Sequence, residues 1–153
     1  MFKGIVLHWT AGNYYPSEYD KKFYHYLIDK DGKVYKGLYQ PTDNLNCKDN
    51  KYAAHCRGYN TGTIGVAICC RKDEKTQPTE EQIKSMCMLV SNLCKTYKIP
   101  IDKVQTHCEI SPNRKIDINE LPYLSLKGNK TVADYIRQKV RYYDNEKGTD
   151  FIQ

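Results

Sequence analysis

The sequence predicts an α/β protein in which helices flank a mixed central β-sheet of about five strands. Two observations lead to this fold class: five short segments have strand character, and two later segments carry apolar residues at the 3–4 spacing of a helix. The chain has 153 residues, of which 40% are hydrophobic and 27% charged. This length and composition are typical of one folded domain, which we expect to span residues 1–153.

Four of the predicted strands precede the first helix. Residues 4–9 form an aliphatic run that ends in histidine and tryptophan. Residues 23–29 and 33–39 flank the turn sequence Lys-Asp-Gly at 30–32, which predicts a β-hairpin. Residues 63–70 are apolar with little alternation, which predicts a central strand buried on both faces.

The second half of the chain predicts two helices and one further strand. Residues 79–82 (Thr-Glu-Glu-Gln) have the pattern of a capping box, and a helical apolar stripe follows them. Residues 104–108 predict the fifth strand. Thr131 and Asp134 predict the cap of a second amphipathic helix.

The charge of the chain favours anionic partners. Its 24 Lys+Arg and 18 Asp+Glu give a net charge of +6, which suits nucleic acid, acidic lipid or an acidic cell-wall polymer. The basic residues are scattered, so we expect no nucleic-acid partner. No apolar run approaches the ~20 residues of a membrane span, and the first residues lack the features of a signal peptide. We therefore expect no membrane insertion and a cytoplasmic, monomeric protein.

The cysteines predict free thiols. Their number, seven, is odd, and no two of them form the CxxC pair of a zinc ribbon or a thioredoxin-like motif. Since an odd set of thiols fits a reducing compartment, we expect no structural disulfides.

Three residues have the chemistry of a metal site. His8 and His107 stand at the ends of predicted strands, where side chains leave the core, and Asp117 follows ten residues after His107. Two imidazoles and one carboxylate, with a fourth position open, are a ligand set of catalytic Zn²⁺. Spacing alone leaves open that both histidines are ordinary hydrogen-bonded residues and that Asp117 is a surface carboxylate.

Five segments follow one another in a characteristic order. They are VLHWTAG (6–12), YHYLIDKDGKVYKG (24–37), AHCRGYN with IGV (54–60 and 64–66), THCE (106–109) and RKID (114–117). In this order they resemble the type 2 N-acetylmuramoyl-L-alanine amidases, and the resemblance extends from about residue 3 to about residue 120. This family includes the phage lysozyme-amidases and is related to the peptidoglycan recognition proteins, so the resemblance implies their fold.

The resemblance also implies the roles of individual residues. The zinc ligands of the family fall on His8, His107 and Asp117, and its active-site tyrosine and lysine fall on Tyr24 and Lys115. Zn²⁺ is thus the implied cofactor. Lys115 would supply positive charge to the developing oxyanion. Tyr24 would orient the attacking water or donate a hydrogen bond.

Strand alternation separates neighbouring residues in this scheme. If Tyr24 faces the metal, His25 on the same predicted strand faces away, and we interpret it as a structural histidine. By the same argument, Cys108 points away from a metal bound by His107.

The segment around His55 is interpreted as part of the substrate pocket. A fourth metal ligand at His55 is the alternative, but it would close the position that water needs. Arg57 and Asn60 are candidates for binding the carboxylates or amides of a muropeptide, and the alternative for each is a solvated loop residue.

The resemblance implies a zinc-dependent peptidoglycan amidase that cleaves the bond between N-acetylmuramic acid and L-alanine. The peptidoglycan muropeptide is the expected partner, and a phage or prophage endolysin acting on the cell wall after release is the expected context. Two alternatives stay open: a non-catalytic peptidoglycan-binding module, and a basic protein that binds a polymerase or nucleic acid.

Overall fold

A computed structural model describes residues 1–145 and shows the predicted mixed sheet. The strands are β1 (Gly4–Trp9), β2 (Tyr26–Ile28), β3 (Val34–Lys36), β4 (Thr63–Ile68) and β5 (Val104–Thr106). Their order in the sheet is β3-β2-β4-β1-β5; β2 and β3 pair antiparallel, and the other three neighbouring pairs are parallel. The mixed α/β prediction is therefore confirmed.

Three α-helices and a small hairpin complete the described chain. The helices are α1 (Glu80–Tyr97), α2 (His107–Ile110) and α3 (Asn129–Asn145), and the hairpin joins β6 (Glu120–Leu121) to β7 (Leu126–Lys127). Short 3₁₀ turns cover Asp20–Lys22, Pro41–Leu45, Ile101–Lys103 and Pro122–Leu124. None of the helices within residues 1–145 combines the length and the apolar content needed to cross a membrane.

The predicted capping box of α1 is confirmed. The Thr79 hydroxyl accepts a hydrogen bond from the backbone N–H of Gln82, and the Gln82 side chain accepts one from the backbone N–H of Thr79. These two bonds satisfy amide groups that have no partner inside the helix. The helix ends at Tyr97, and Lys98 caps it in the left-handed conformation at φ 56°.

In the second half of the chain the predicted end of one strand and the predicted start of one helix are wrong, and local hydrogen bonds explain the first. The strand predicted over 104–108 ends at Thr106, because Thr106 and Glu109 form a second capping box that starts α2 at His107. Helix α3 begins at Asn129 and not after Thr131.

Strand β1 has the predicted bounds, whereas the strands predicted over 23–29, 33–39 and 63–70 are longer than the observed β2, β3 and β4. Strand β2 begins at Tyr26, so Tyr24 and His25 precede it, and β4 ends before the adjacent cysteines at 69–70. The alternation argument therefore does not apply in its strict form to Tyr24 and His25, nor to the helical pair His107 and Cys108.

The apolar core lies on one face of the sheet, between the strands and helices α1 and α3. Alternate residues of β1 and β4 point into this core, and apolar residues of both helices meet them. His8 therefore lies on the opposite face, beside Ala67 of β4 in the strand register. The core residues of β1 and β4 are Ile5, Leu7, Trp9, Ile64, Val66 and Ile68.

All seven cysteines are free, and six of them are buried. Burial raises the pKa of Cys56 to about 11 and the pKa of Cys69 to about 12, so these thiols stay protonated at neutral pH. They contribute to packing as small apolar residues.

Candidate metal centre

The candidate site lies at the carboxyl ends of the parallel strands. Leu7 of β1 pairs with Thr106 of β5, so His8 and His107 leave adjacent strands side by side. The loop after α2 returns Asp117 to the same place, and its backbone carbonyl accepts a 2.7 Å hydrogen bond from the N–H of Cys108. Crevices at the carboxyl ends of parallel strands are where open α/β sheets bind ligands.

The donor atoms of these three residues converge. The Nδ1 atoms of His8 and His107 are 3.1 Å apart, and Asp117 Oδ2 lies 3.3 Å from the first and 3.4 Å from the second. Ligands about 2.0–2.1 Å from a tetrahedral zinc ion lie about 3.4 Å from one another. All three side chains are buried, and within residues 1–145 they are the one group of this kind that could hold a metal ion. The residues present thus fit zinc.

The protonation states also suit a metal. Burial lowers the pKa of His8, although Asp117 acts in the opposite direction, so this imidazole is neutral at neutral pH. Burial opposes ionisation of Asp117, but interactions with His107 and His8 outweigh it and hold the pKa of this carboxyl far below its usual range. Neutral imidazole and ionised carboxylate are the forms that coordinate a metal.

A cavity of about 380 Å³ opens beside the cluster. Tyr24 and Lys115 both line it, so the structure brings the two predicted catalytic residues to the predicted ligands. Its lining also includes residues that the sequence analysis did not single out, each close in the chain to a predicted residue. These are Trp9, Thr10, Ala11, Phe23, Ala54, Arg114 and Ile116.

The two predicted catalytic residues differ in environment. The Tyr24 ring lies 5.1 Å from the His8 ring, between centroids. Burial raises the pKa of Tyr24 further above the ordinary tyrosine value, so its hydroxyl is protonated at neutral pH and can donate a hydrogen bond. Lys115 is exposed on the loop that leads to Asp117, and its backbone N–H binds the carbonyl of Ser111.

His55 lies behind His8 and outside the metal group. Its Nδ1 is 3.0 Å from Nε2 of His8, and its Nε2 is 3.1 Å from Oγ1 of Thr63. Both ring nitrogens of His55 therefore have hydrogen-bond partners inside the protein. The residue also lines the cavity. Arg57 is exposed, and the Asn60 side chain accepts the backbone N–H of Cys56; neither lines this cavity.

The interpretation of His25 as a structural histidine is confirmed. Its Nε2 is 2.9 Å from Oδ1 of Asn44, and its Nδ1 accepts a 2.9 Å hydrogen bond from the N–H of Gly65. Asn44 in turn donates to the carbonyls of Ala53 and Asn60. His25 thus ties the 53–60 segment to the sheet.

Comparison with known proteins places the chain in a family. Residues 2–120 match the family model described as N-acetylmuramoyl-L-alanine amidase. A probable N-acetylmuramoyl-L-alanine amidase of Bacillus licheniformis is 30% identical over 128 residues. That match covers 71% of this chain and 34% of the relative, so the chain spans about a third of the relative's length.

Solved structures share the fold. The E. coli amidase AmiD, in complex with anhydro-N-acetylmuramic acid-L-Ala-D-γ-Glu-L-Lys, is similar at a TM-score of 0.61 and 19% identity, covering 77% of this chain and 52% of AmiD. The endolysin amidase LysCS of Clostridium intestinale is similar at 0.60 and 21% identity, covering 92% of this chain and 85% of LysCS. Insect peptidoglycan recognition proteins also share it. The chain therefore belongs to the type 2 N-acetylmuramoyl-L-alanine amidase family.

Proposed function

We propose that this protein is a zinc-dependent amidase that hydrolyses the amide between the lactyl group of N-acetylmuramic acid and the L-alanine of the stem peptide. One observation carries the proposal: three donor atoms converge at tetrahedral spacing beside a cavity lined by Tyr24 and Lys115. Three protein ligands and an open position are typical of catalytic zinc, whereas structural zinc has four protein ligands.

Different residues of the site have different proposed roles. His8, His107 and Asp117 hold the metal, which when bound supplies Lewis acidity that polarises a carbonyl and makes water a nucleophile at neutral pH. The ammonium group of Lys115 places positive charge where the oxyanion develops. The protonated hydroxyl of Tyr24 donates a hydrogen bond to the attacking water or to the tetrahedral intermediate.

The proposed substrate is peptidoglycan, and the proposed context is an endolysin. A net charge of +6 attracts the protein to an anionic cell wall, and salt weakens this attraction. The extent of the similarity to LysCS, 92% of this chain and 85% of that endolysin, supports a phage or prophage enzyme. We propose that it accumulates as a monomer in the host cytoplasm and acts on the wall after release. The exposed Arg57 is the candidate for binding muropeptide carboxylates.

Zinc content and product analysis together test the proposal. Purified protein is expected to contain about one zinc ion per chain, and with isolated sacculi it should release peptides that begin with a free L-alanine amine. The His107→Ala variant should lose both zinc and product. The control is His25→Gln, since His25 is also a buried histidine but does not belong to the metal group; it should retain zinc.

Each contrary outcome has a distinct meaning. Unchanged zinc content in His107→Ala would refute the ligand assignment. Binding of wild-type protein to sacculi without new L-alanine amines would refute catalysis and favour the peptidoglycan-binding module. Cleavage elsewhere in the polymer would refute the proposed bond.

A further inference from the structure

We propose that His55 and Thr63 are positioning residues that set the tautomer of His8 and so direct a lone pair of its Nδ1 toward the metal. This inference rests on the proposed zinc site. It starts from a chain of hydrogen bonds that runs from the backbone of residues 59–60, through Thr63 and His55, to His8.

The first step concerns the Thr63 hydroxyl. Its oxygen is 2.5 Å from the carbonyl oxygen of Tyr59 and 3.1 Å from that of Asn60. Carbonyl oxygens only accept hydrogen bonds, so the single hydroxyl proton points toward them. Toward His55 the hydroxyl oxygen must therefore accept, and Nε2 of His55 carries the proton across the 3.1 Å contact. The carbonyl of Thr63, 3.4 Å from the same nitrogen, favours the same arrangement.

The second step concerns the direction of the hydrogen bond between His55 and His8. The hydrogen-bond partners of the buried His55 ring are the hydroxyl and carbonyl of Thr63 and the ring of His8, with no carboxylate among them, so the ring is neutral and has one N–H. Because Nε2 holds that proton, Nδ1 accepts, and the 3.0 Å contact to His8 requires an N–H on Nε2 of His8. The Nδ1 atom of neutral His8 is then unprotonated, and it is the atom that faces Asp117 and His107.

The two histidines of the metal group differ in this respect. Nε2 of His107 is buried and has no hydrogen-bond partner within the described residues. The chain therefore imposes a tautomer on His8 through its second nitrogen, whereas it imposes none on His107 in that way. Partners behind a metal-binding histidine typically change metal affinity 10–100-fold when they are removed.

The strand beneath His55 is shaped to receive its ring. A Cβ atom at Gly65 would lie 2.5 Å from Cγ and 2.8 Å from Nδ1 of His55, closer than real contacts allow. Only glycine at this position of β4 leaves room for the imidazole. The ring packs edge to face with His8 at 5.1 Å between centroids and an interplanar angle of 84°. Sheet and hydrogen bonds thus hold His55 in one orientation.

The experiment measures the tautomer and the zinc affinity separately. Nitrogen-15 NMR of metal-free wild-type protein should show His8 protonated at Nε2. Zinc dissociation constants come from chelator competition on folded variants. His55→Phe keeps the bulk but removes the acceptor, and we expect at least tenfold weaker zinc binding. His55→Asn places a carbonyl oxygen near the former Nδ1 and should recover part of the loss.

A conservative pair at Thr63 tests the inference even if His55→Phe does not fold. Thr63→Ser keeps the hydroxyl and should bind zinc as the wild type does. Thr63→Val removes it and should weaken zinc binding and increase the Nδ1-protonated form of His8. A merely structural role would leave that tautomer unchanged.

Three results would overturn the inference: protonation of His8 at Nδ1 in the metal-free wild type, a zinc dissociation constant in folded His55→Phe within twofold of wild type, or equal zinc binding by the two Thr63 variants. Failure of the wild type to bind zinc would instead overturn the proposed function, and the NMR result would still decide the tautomer.

Discussion

Lowering the pH of the metal-free protein from 8 to 5 is expected to remove about 2 kcal/mol of folding stability through His25 alone. His25 is 1% exposed, and its Nδ1 accepts a hydrogen bond from the N–H of Gly65. Protonation of Nδ1 would break this bond and place a charge in the interior. Burial accordingly lowers the pKa of His25 to about 4, despite the opposing hydrogen bond with Asn44.

The magnitude follows from the difference between the folded and unfolded pKa values. In the unfolded chain histidine titrates near pH 6.5, so as the pH falls the unfolded state takes up the proton first. The contribution of His25 to stability is therefore complete above about pH 6.5, declines as the pH falls, and is lost below about pH 4. The full difference is about 3.4 kcal/mol, at 1.36 kcal/mol per pKa unit. Burial lowers the pKa values of His8 and His55 as well, which adds effects of the same sign.

Urea unfolding in the presence of a chelator, at several pH values between 8 and 5, measures the effect. The His25→Gln variant is the comparison, because its amide does not titrate. The variant should lose about 2 kcal/mol less than the wild type over this range, whatever its absolute stability. Parallel dependences of stability on pH in the two proteins would refute the argument that His25 is neutral when folded.

Three further predictions concern the site and its support. The Lys115→Ala and Tyr24→Phe variants should keep their zinc but lower turnover about a hundredfold, whereas the control Lys84→Ala, on the exposed side of α1, should keep wild-type turnover. Near wild-type turnover of the Lys115 and Tyr24 variants at matched zinc occupancy would contradict the proposed mechanism. Removal of zinc by a chelator should lower the melting temperature, since a ligand at a thousand times its dissociation constant stabilises the folded protein by about 4 kcal/mol. An unchanged melting temperature would argue against a bound metal. Arg137→Met should lower the free energy of unfolding by about 2 kcal/mol, because it leaves the half-buried carboxylate of Glu109 without its guanidinium partner. Urea unfolding measures this change, and an unchanged free energy of unfolding would contradict the prediction.

The features that local sequence signals determine could be predicted. Helix α1 follows from its capping box and apolar stripe, and β1 and β4 follow from apolar runs, because these patterns act through neighbouring residues. His8 and His107 were identifiable because each stands near the end of such a segment. The family resemblance then supplied the roles of Tyr24 and Lys115, which no spacing rule gives.

The features that depend on tertiary contacts could not be predicted. The Thr-x-x-Glu pattern at 106–109 lies within the predicted strand 104–108 and starts a helix of only four residues, too short to show an apolar period. The role of His55 depends on Gly65 and Thr63 of β4, and its contact with His8 exists only because β4 pairs with β1. Strands β6 and β7 have two residues each, too few to show a period.

The C-terminal helix supports the metal group although it lies outside the region matched by the family model, residues 2–120. The guanidinium of Arg137 on α3 donates to the carbonyl of Val104, at 2.8 Å, and to both carboxylate oxygens of Glu109, at 2.8 and 3.0 Å. The same Glu109 carboxylate accepts the backbone N–H of Thr106 in the capping box that starts α2. Arg137 therefore binds residues on both sides of His107, the first residue of α2. Since the Nδ1 atom of His107 must stay within about 3.4 Å of its two partners to bind zinc, part of the precision of the site comes from α3.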